Sequence, residues 1–249
     1  MSHIPRLYLT GDLKAGASVS VDDGQGKYLT RVMRLSEGDT VRAFNGRDGE
    51  WTCELKVSGK KVSVEPHAQT RAQVFVPNLT LLFAPLKKTR TDFVIEKAVE
   101  LGVKTIQPIL TKFTQTQRVR VERFQALAVE AAEQTERLDV PDICEAEPLW
   151  TALAEWDERK PLFYCDEGSE ARPMIDSLAQ NTVRDAGLLI GPEGGFSNPE
   201  RDRLRALAFA IPVTLGPRIL RAETAVVSAL TLWQSQVGDW RDAPYVPET

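Results

Sequence analysis

The chain has 249 residues, of which 42% are hydrophobic and 27% charged, so it can bury a sizeable core in one large domain or two small ones. Its three cysteines and two histidines are widely spaced, which excludes a disulfide framework or a Cys-x-x-Cys zinc site and disfavours a His-rich metal centre; we expect no bound metal. No apolar stretch reaches the roughly 18 residues of a membrane span, and the first residues lack a signal-peptide core, which predicts a cytoplasmic protein.

Charge is distributed unevenly along the chain. The formal net charge is −4, yet residues 1–137 carry 21 Lys and Arg against 16 Asp and Glu, whereas residues 138–249 carry 10 against 19. The basic excess in the first part indicates an anionic partner on that side. A solvated surface that merely segregates its charges explains the same distribution equally well.

The first part of the chain is predicted to be a small β-rich unit. Short β-branched or aromatic runs alternate with turn residues, and Asn45-Gly46 and Asp48-Gly49 favour tight reversals between strands. Residues 27–35 have instead the apolar spacing of a short helix, with Arg31 and Arg34 on its polar side. We predict a barrel-like module with strands at residues 6–9, 40–44, 51–57 and 61–64.

After a boundary near residues 66–78, strands and helices alternate. This alternation predicts an α/β domain with a largely parallel sheet. The predicted strands are residues 79–84, 106–110, 161–165, 187–190 and 211–215, and the predicted helices are residues 91–101, 119–138, 172–179, 199–208 and 224–236.

A glycine-rich loop follows one of these strands directly. Gly191, Gly194 and Gly195 lie between the strand and a helix start at which Ser197 and Glu200 have the spacing of a capping box. Because ligands collect at the carboxyl ends of strands in open α/β sheets, we expect a ligand here rather than a simple tight turn. The loop lacks the spacing of a dinucleotide fingerprint or a P-loop, which disfavours nicotinamide and ATP.

Two further loops carry charge at equivalent strand ends. Residues 215–225 place Arg221, Glu223 and Thr224 at the start of the last helix, although helix capping alone explains these residue types there. The basic loop at residues 85–90, together with residues 130–137, has the composition of a phosphate-binding surface or of an ordinary solvated one.

Residues 190–197 and 215–225 together resemble the RsmE family of SPOUT RNA methyltransferases, and residues 32–39, 92–102 and 133–137 fit the same family. Tyr28 and Met33 depart from its usual histidine and leucine. The resemblance implies a PUA-like β-barrel RNA-binding domain over residues 1–72 and, over residues 73–249, an α/β SPOUT domain with a C-terminal trefoil knot. It also implies a homodimer that uses S-adenosylmethionine to methylate uridine N3 in 16S ribosomal RNA or the small ribosomal subunit.

The resemblance assigns residues to three roles. The implied catalytic residues are Arg221, as a stabilising cation, and Glu223, as a proton acceptor. The implied cofactor-binding residues are Leu189, Ile190, Gly191, Pro192, Glu193, Gly194, Gly195, Leu215, Gly216, Ile219, Leu220, Arg221, Ala222, Thr224 and Ala225. The implied RNA contacts are Arg6, Arg31, Arg34, Lys88, Gln134 and Arg137.

Two alternatives remain open from the sequence. One is a SPOUT methyltransferase that acts on another RNA, such as transfer RNA, or that methylates a ribose hydroxyl instead of a base. The other is a catalytically silent RNA-binding protein, against which the intact glycines and the Arg221–Thr224 segment speak. Cys165 follows an aromatic pair and reads as a buried core thiol rather than a nucleophile.

Overall fold

The computed structural model describes residues 4–59, 61–116, 119–166, 171–181 and 183–242. Its contacts divide the chain into two compact units: Met1–Phe75 with Val129–Val140, and Val76–Ala128 with Pro141–Thr249. No helix in the described part of the chain is long and apolar enough to cross a membrane.

The first unit is built on a five-stranded sheet in the order β1-β3-β4-β5-β2. Neighbouring strands are antiparallel except for the parallel pair β1 and β3. Within the described residues β1 and β2, at the two ends of this order, are not paired with each other. The strands are β1 (Arg6–Tyr8), β2 (Val19–Ser20), β3 (Thr40–Phe44), β4 (Glu50–Ser58) and β5 (Lys61–Arg71).

Local residue chemistry sets the turns of this unit. Gly46 and Gly49 have φ values of 78° and 74°, and the reversal they allow pairs β3 with β4, as predicted. The predicted short helix begins earlier than expected, because Asp22 and Gln25 form a capping box at the start of α1 (Asp23–Lys27), which continues as a π-helical turn over Tyr28–Val32. The predicted strand at residues 61–64 extends to Arg71, so it runs into the predicted boundary region.

A buried arginine fastens residues 129–140 to this sheet. The Arg6 guanidinium contacts the Glu50 carboxylate at 2.6 Å and donates to the backbone carbonyls of Ala132 and Arg137 at 2.8 and 3.0 Å. These carbonyls belong to the end of a helix and the turn after it, where backbone acceptors lack helical partners. Nothing in the sequence pattern indicated this attachment, because the partners lie more than a hundred positions apart.

The second unit contains a parallel eight-stranded sheet in the order β11-β13-β10-β12-β6-β7-β8, with β9 paired to β7. Its central strand β12 is buried along its whole length, as expected of a parallel strand covered on both faces. The strands are β6 (Leu79–Phe83), β7 (Thr105–Leu110), β8 (Asp142–Ile143), β9 (Glu147–Pro148), β10 (Leu162–Cys165), β11 (Arg172–Pro173), β12 (Ala186–Ile190) and β13 (Ala210–Thr214).

The helices of this unit lie close to the predicted positions. They are α2 (Lys88–Glu100), α4 (Leu149–Ala154), α5 (Met174–Ala179), α6 (Asn198–Arg205) and α7 (Ala222–Gln236), while α3 (Val121–Gln134) runs from the second unit into the first. The sequence pattern missed α4 and the two-residue strands β8, β9 and β11, because such short elements carry no periodicity.

The strand order determines where the site lies. The chain passes from β7, on one side of β6, to β10, which lies beyond β12 on the other side, and then to β12 and β13. Parallel pairing sets Tyr164 of β10 beside Leu189 of β12, and Cys165 beside Val213 of β13. The carboxyl ends of these three strands therefore meet at one edge of the sheet, next to the switch in strand order where α/β proteins bind ligands.

Candidate cofactor-binding and active site

A pocket of about 190 Å³ opens at this edge of the sheet. Its walls come from the ends of β10, β12 and β13 and from the loops that follow β12 and β13. Apolar side chains and glycine backbone make up most of the lining, and Asp166, Glu193, Arg201 and Arg218 add charge. Such a lining suits a flat apolar group that carries polar substituents.

The loop after β12, residues 191–197, is held at both ends. At its start, the carbonyl of Ile190 accepts a hydrogen bond from the backbone N–H of Ala84 at 3.1 Å. At its end, Ser197 and Glu200 form the predicted capping box of α6, and Glu200 also accepts from the backbone N–H of Lys112 at 2.8 Å. The carboxylate of Glu200 thus connects the start of α6 to the segment after β7.

Two glycines in the pocket loops have backbone conformations that other residues adopt only with strain. Gly195 has φ +66° and Gly216 has φ +113°. A side chain at Gly195 would also lie 3.4 Å from a guanidinium nitrogen of Arg201. The loops therefore need glycine for their shape, and their backbone faces the pocket.

Asp166 directly follows β10, and its carboxylate contacts the side chains of two arginines. Its carboxylate is buried and is 3.6 Å from Nε of Arg201 and 3.1 Å from Nη2 of Arg205. Arg201 Nε is buried, yet no residue in the described part of the chain lies within hydrogen-bonding distance of it. The neighbouring Cys165 is half-buried in the pocket wall, and desolvation raises the pKa of its thiol to about 12, so the thiol is protonated at neutral pH.

The segment 221–224 lies beside the pocket at the start of α7. Arg221 precedes the first helical residue with extended backbone geometry, and its side chain is exposed. Its positive charge at the amino end of a helix is unfavourable for helix stability. Among the described residues no carboxylate forms an ion pair with it, so nothing in the fold accounts for its charge.

Glu223 faces α2, which follows β6. Its Oε1 atom lies 3.6 Å from Nε of Arg90, and Nη1 of Arg90 lies 3.3 Å from Oε1 of Glu193 in the loop after β12. The other carboxylate oxygen, Oε2 of Glu223, is buried without a hydrogen-bond partner among the described residues. Arg90 therefore joins the loop after β12 to the first turn of α7 through a carboxylate on each.

Comparisons with known proteins identify the family. Residues 75–234 match the family described as an RNA methyltransferase domain, and residues 21–66 match an RNA methyltransferase PUA domain. The ribosomal RNA small subunit methyltransferase E of Rickettsia conorii is 31% identical over 228 residues, covering 90% of this chain and 93% of the relative. The enzyme of the same name from Buchnera aphidicola subsp. Schizaphis graminum is 30% identical over 248 residues, covering 95% of this chain and 98% of the relative.

The chain belongs to the ribosomal RNA small subunit methyltransferase E family. Two solved structures are similar over nearly the whole length. The family member from Neisseria gonorrhoeae, bound to S-adenosyl methionine, has a TM-score of 0.86 and 28% identity, covering 96% of this chain and 100% of that one. A methyltransferase from Legionella pneumophila, in complex with the same cofactor, has a TM-score of 0.84 and 28% identity, covering 95% and 99%. The predicted family is confirmed, as is a SPOUT-like α/β methyltransferase fold with a PUA-like domain before it.

The structure gathers most of the residues that the family resemblance assigned to the cofactor. The pocket is lined by Ile190, Gly191, Pro192, Glu193, Gly195, Leu215, Gly216, Ile219, Leu220, Ala222 and Ala225. Leu189 is buried within β12, Gly194 lies against Phe113, and Arg221 and Thr224 are exposed outside the lining. Neither Arg221 nor Glu223 lines the pocket itself; both lie at its rim on the first residues of α7 or just before them.

Other lining residues were missed by sequence reasoning. They are Cys165, Asp166, Phe196, Arg201, Val213, Thr214, Pro217 and Arg218. Cys165 and Asp166 end a strand that the sequence did predict, and the rule that ligands collect at strand ends would have found them once β10 was placed beside β12. Arg90 was considered only as a possible phosphate contact in the basic loop at residues 85–90. Its contacts with Glu193 and Glu223 were not predicted, because these partners are distant in the sequence.

The predicted RNA contacts divide by exposure. Arg31, Arg34, Lys88 and Gln134 are exposed. Arg6 is buried with Glu50, and the Arg137 side chain is buried in a two-point contact with Asp139 at 2.8 and 3.2 Å. Arg6 stabilises the attachment of residues 129–140, and Arg137 pairs within that segment, so the structure offers no support for the expectation that these two side chains contact RNA.

Proposed function

We propose that this chain transfers a methyl group from S-adenosylmethionine to N3 of a uridine in small-subunit ribosomal RNA. Membership of the family carries the broader statement, that it is an S-adenosylmethionine-dependent methyltransferase of small-subunit ribosomal RNA. The observation that carries the proposal is the pocket at the ends of β10, β12 and β13, whose loops hold the residues that the family resemblance assigned to the cofactor.

The residues of the pocket fit S-adenosylmethionine. Ile190, Leu215, Ile219 and Leu220 offer apolar walls for an adenine ring, while the backbone near Gly191 and Gly216 offers polar groups at close approach. When bound, this cofactor supplies an electrophilic methyl group on a sulfonium. The protein's own contribution is to exclude water from that group and to orient the uracil toward it.

Uridine N3 carries a proton that must leave before or as the methyl group is accepted. As the N3–H bond breaks, negative charge spreads onto O2 and O4 of the uracil. Arg221, for which the described residues provide no ion-pair partner, supplies the cation that stabilises this anion. Oε2 of Glu223, which is buried and lacks a hydrogen-bond partner among the residues that the structure describes, accepts a hydrogen bond from N3–H and takes its proton.

Residues for RNA docking follow from exposure. Arg31, Arg34, Lys88 and Gln134 are proposed to contact the RNA, with the arginines and the lysine on phosphates. The PUA-like domain over residues 1–72 and the methyltransferase domain over residues 73–249 are each proposed to contact the RNA. The protein is proposed to act as a homodimer in the cytoplasm. Replacement of Arg31 and Arg34 by glutamine is expected to weaken RNA binding and to flatten its dependence on salt.

A finer proposal concerns the fold itself. We infer that the residues from β12 to the end of α7 form a trefoil knot. After β13 the last helix returns to pack against α2, α5 and β12, which brings the chain end back past the loop that follows β12. An experimental density map of this segment tests the threading directly.

The first experiment is a calorimetric titration with S-adenosylmethionine. Ile219→Arg introduces a cation where an 86%-exposed side chain lines the pocket, so it is expected to repel the positively charged cofactor without disturbing the core. Ile175→Arg, at a 48%-exposed isoleucine in α5, is the matched control. Binding by the wild type and the control, with a loss of at least tenfold in Ile219→Arg, supports the assigned pocket; equal binding by all three overturns it.

The position of the methyl group decides between the remaining functions. A methyl on N3 removes the donor of the Watson–Crick edge, so reverse transcription of methylated 16S RNA is expected to stop at one uridine. A methyl on a ribose hydroxyl, found by nucleoside mass spectrometry, would favour the other SPOUT activity. RNA binding without any methylated product would favour the silent RNA-binding protein.

A further inference from the structure

Arg90 contacts one carboxylate in the loop after β12 and another in the first turn of α7. Its guanidinium is 3.6 Å from Glu223 and 3.3 Å from Glu193, and its side chain is only 37% exposed. A guanidinium suits such a bridge because it presents several N–H donors in a fixed plane. A lysine, which carries a single point charge, does not reproduce this geometry.

The segment that carries Arg90 is fixed in place. The hydroxyl of Thr91 accepts from the backbone N–H of Leu86 at 2.9 Å and is 2.9 Å from the Leu86 carbonyl, to which the Thr116 hydroxyl also donates. Thr91 itself is buried, and Arg90 lies in the first turn of the 13-residue helix α2. These hydrogen bonds therefore hold the backbone next to Arg90 in place at the start of α2.

The carboxylate of Glu223 is held on one side only. Arg90 lies against Oε1, while Oε2 is buried and has no donor among the described residues. A buried carboxylate oxygen without a partner is costly, and such atoms in native proteins call for an explanation by function or an absent ligand. The contact with Arg90 is an ion pair without a hydrogen bond, and its charge favours the carboxyl rotation that keeps Oε1 toward Arg90 and leaves Oε2 to accept from another donor.

We propose that Arg90 is a positioning residue for methyl transfer, because it holds the Glu223 carboxylate with Oε2 aimed at the N–H of the acceptor base and links Glu223 to the Glu193 loop. This inference rests on the proposed role of Glu223. Arg90 does not touch the base or the cofactor in this scheme; it acts through Glu223. No covalent step is added, since the proton passes from N3 to Oε2 as already proposed.

A rival explanation is that Arg90 binds an RNA phosphate, as the neighbouring exposed Lys88 is proposed to do. The two explanations predict different kinetics. A phosphate contact acts on RNA binding, so its loss raises KM for RNA and reduces the salt dependence of binding. A positioning role acts on the rate with both substrates bound, so its loss lowers kcat at saturating RNA.

The test measures kcat, KM for RNA and the Kd of S-adenosylmethionine for Arg90→Gln, Glu223→Gln and the double variant. Arg90→Gln is expected to lower kcat at least tenfold while both KM and Kd stay within about threefold of the wild type. The double variant is expected to be no slower than Glu223→Gln alone, because a positioning residue contributes nothing once its partner is changed. Arg90→Lys, which keeps the charge but not the planar bridge, is expected to recover part of kcat.

Arg159→Gln is the matched control, since Arg159 pairs with Asp157 in the same unit and does not line the pocket; its kinetics should equal those of the wild type. Independent, multiplying losses in the double variant would overturn the inference, as would a rise in KM alone or a loss of cofactor binding in Arg90→Gln. If Glu223→Gln transfers methyl groups at the full rate, the proposed role of Glu223 fails. If Glu223→Gln is slow and Arg90→Gln is normal, only the positioning role of Arg90 fails.

Discussion

Replacement of Glu200 by alanine is predicted to destabilise the protein more than any ordinary helix-start substitution. The Glu200 side chain is buried and accepts three hydrogen bonds of 2.8 Å, from the backbone N–H and the hydroxyl of Ser197 and from the backbone N–H of Lys112. Alanine leaves both backbone donors without their acceptor. A hydrogen bond to a charged group contributes about 1.5–3 kcal/mol, so two of them at the lower end amount to about 3 kcal/mol.

The expected effect is large enough for a thermal melt. For a protein of this size, about 1 kcal/mol shifts the melting temperature by roughly 2–4 °C, which gives a decrease of about 6–12 °C for Glu200→Ala. Glu200→Gln keeps one carbonyl oxygen as an acceptor and should lose about half as much. S-adenosylmethionine should also bind Glu200→Ala more weakly, because the end of the loop after β12 is released from the segment after β7.

Asp176→Ala provides the matched control. Asp176 is also acidic and also in the first turn of a helix, α5, but its side chain is exposed. Its removal should cost no more than the 0.3–1 kcal/mol or so that a charge gains from a helix end. Equal shifts in melting temperature for Glu200→Ala and Asp176→Ala would refute the reasoning, because the three buried hydrogen bonds would then have no net value.

Three further results are expected. Gly216→Ala, at φ +113°, should weaken S-adenosylmethionine binding about fivefold or more in calorimetry, whereas Gly38→Ala, at φ +87° outside the pocket, should not change it. Burial raises the pKa of Glu133 above its ordinary value of 4.5, so the folded state holds this proton more tightly than the unfolded state does. The protonated group therefore stabilises the folded state below pH 4.5, and this stabilisation is lost as the pH rises through the folded-state pKa. Glu133→Gln, which can still accept from the N–H of Tyr8, should therefore raise the melting temperature at pH 7 and leave it unchanged at pH 4; a decrease at pH 7 would contradict this. Cys165→Ala should methylate RNA at the wild-type rate, and the Cys165 thiol should resist alkylation at pH 8; a loss of kcat above tenfold would point to a nucleophile.

Local patterns in the sequence were sufficient for the elements that form the site. The apolar runs at residues 79–84 and 187–190 became β6 and β12, and the capping box at Ser197 and Glu200 formed as predicted. Each of these features depends on residues that are neighbours in the chain. The glycine loop was found for the same reason, since its glycines lie directly between a strand and a helix start.

Contacts between distant parts of the chain could not be read from the same patterns. Arg6 was expected to contact RNA, which requires an accessible side chain, yet it is buried against Glu50 and the carbonyls of Ala132 and Arg137. The sequence also did not show that residues 129–140 belong to the first unit. The periodicity of a helix indicates which of its faces is buried, but it does not identify the sheet that the end of the helix contacts. Pairings across more than a hundred positions leave no mark on periodicity or spacing.

The candidate site also shows why single motifs were ambiguous in the sequence. The loop after β12 alone could be a turn, and Arg221 with Glu223 alone could be an ordinary helix start. The parallel order β13-β10-β12-β6 brings the segments that follow these strands to one edge. Arg90, after β6, then contacts Glu193 in the loop after β12 and Glu223 in the first turn of α7. Helix capping explains neither the exposed charge of Arg221 nor the unpartnered oxygen of Glu223. The proposed function would account for both, because an acceptor base that gives up a proton and develops negative charge, as uridine N3 does, needs a proton acceptor and a nearby cation.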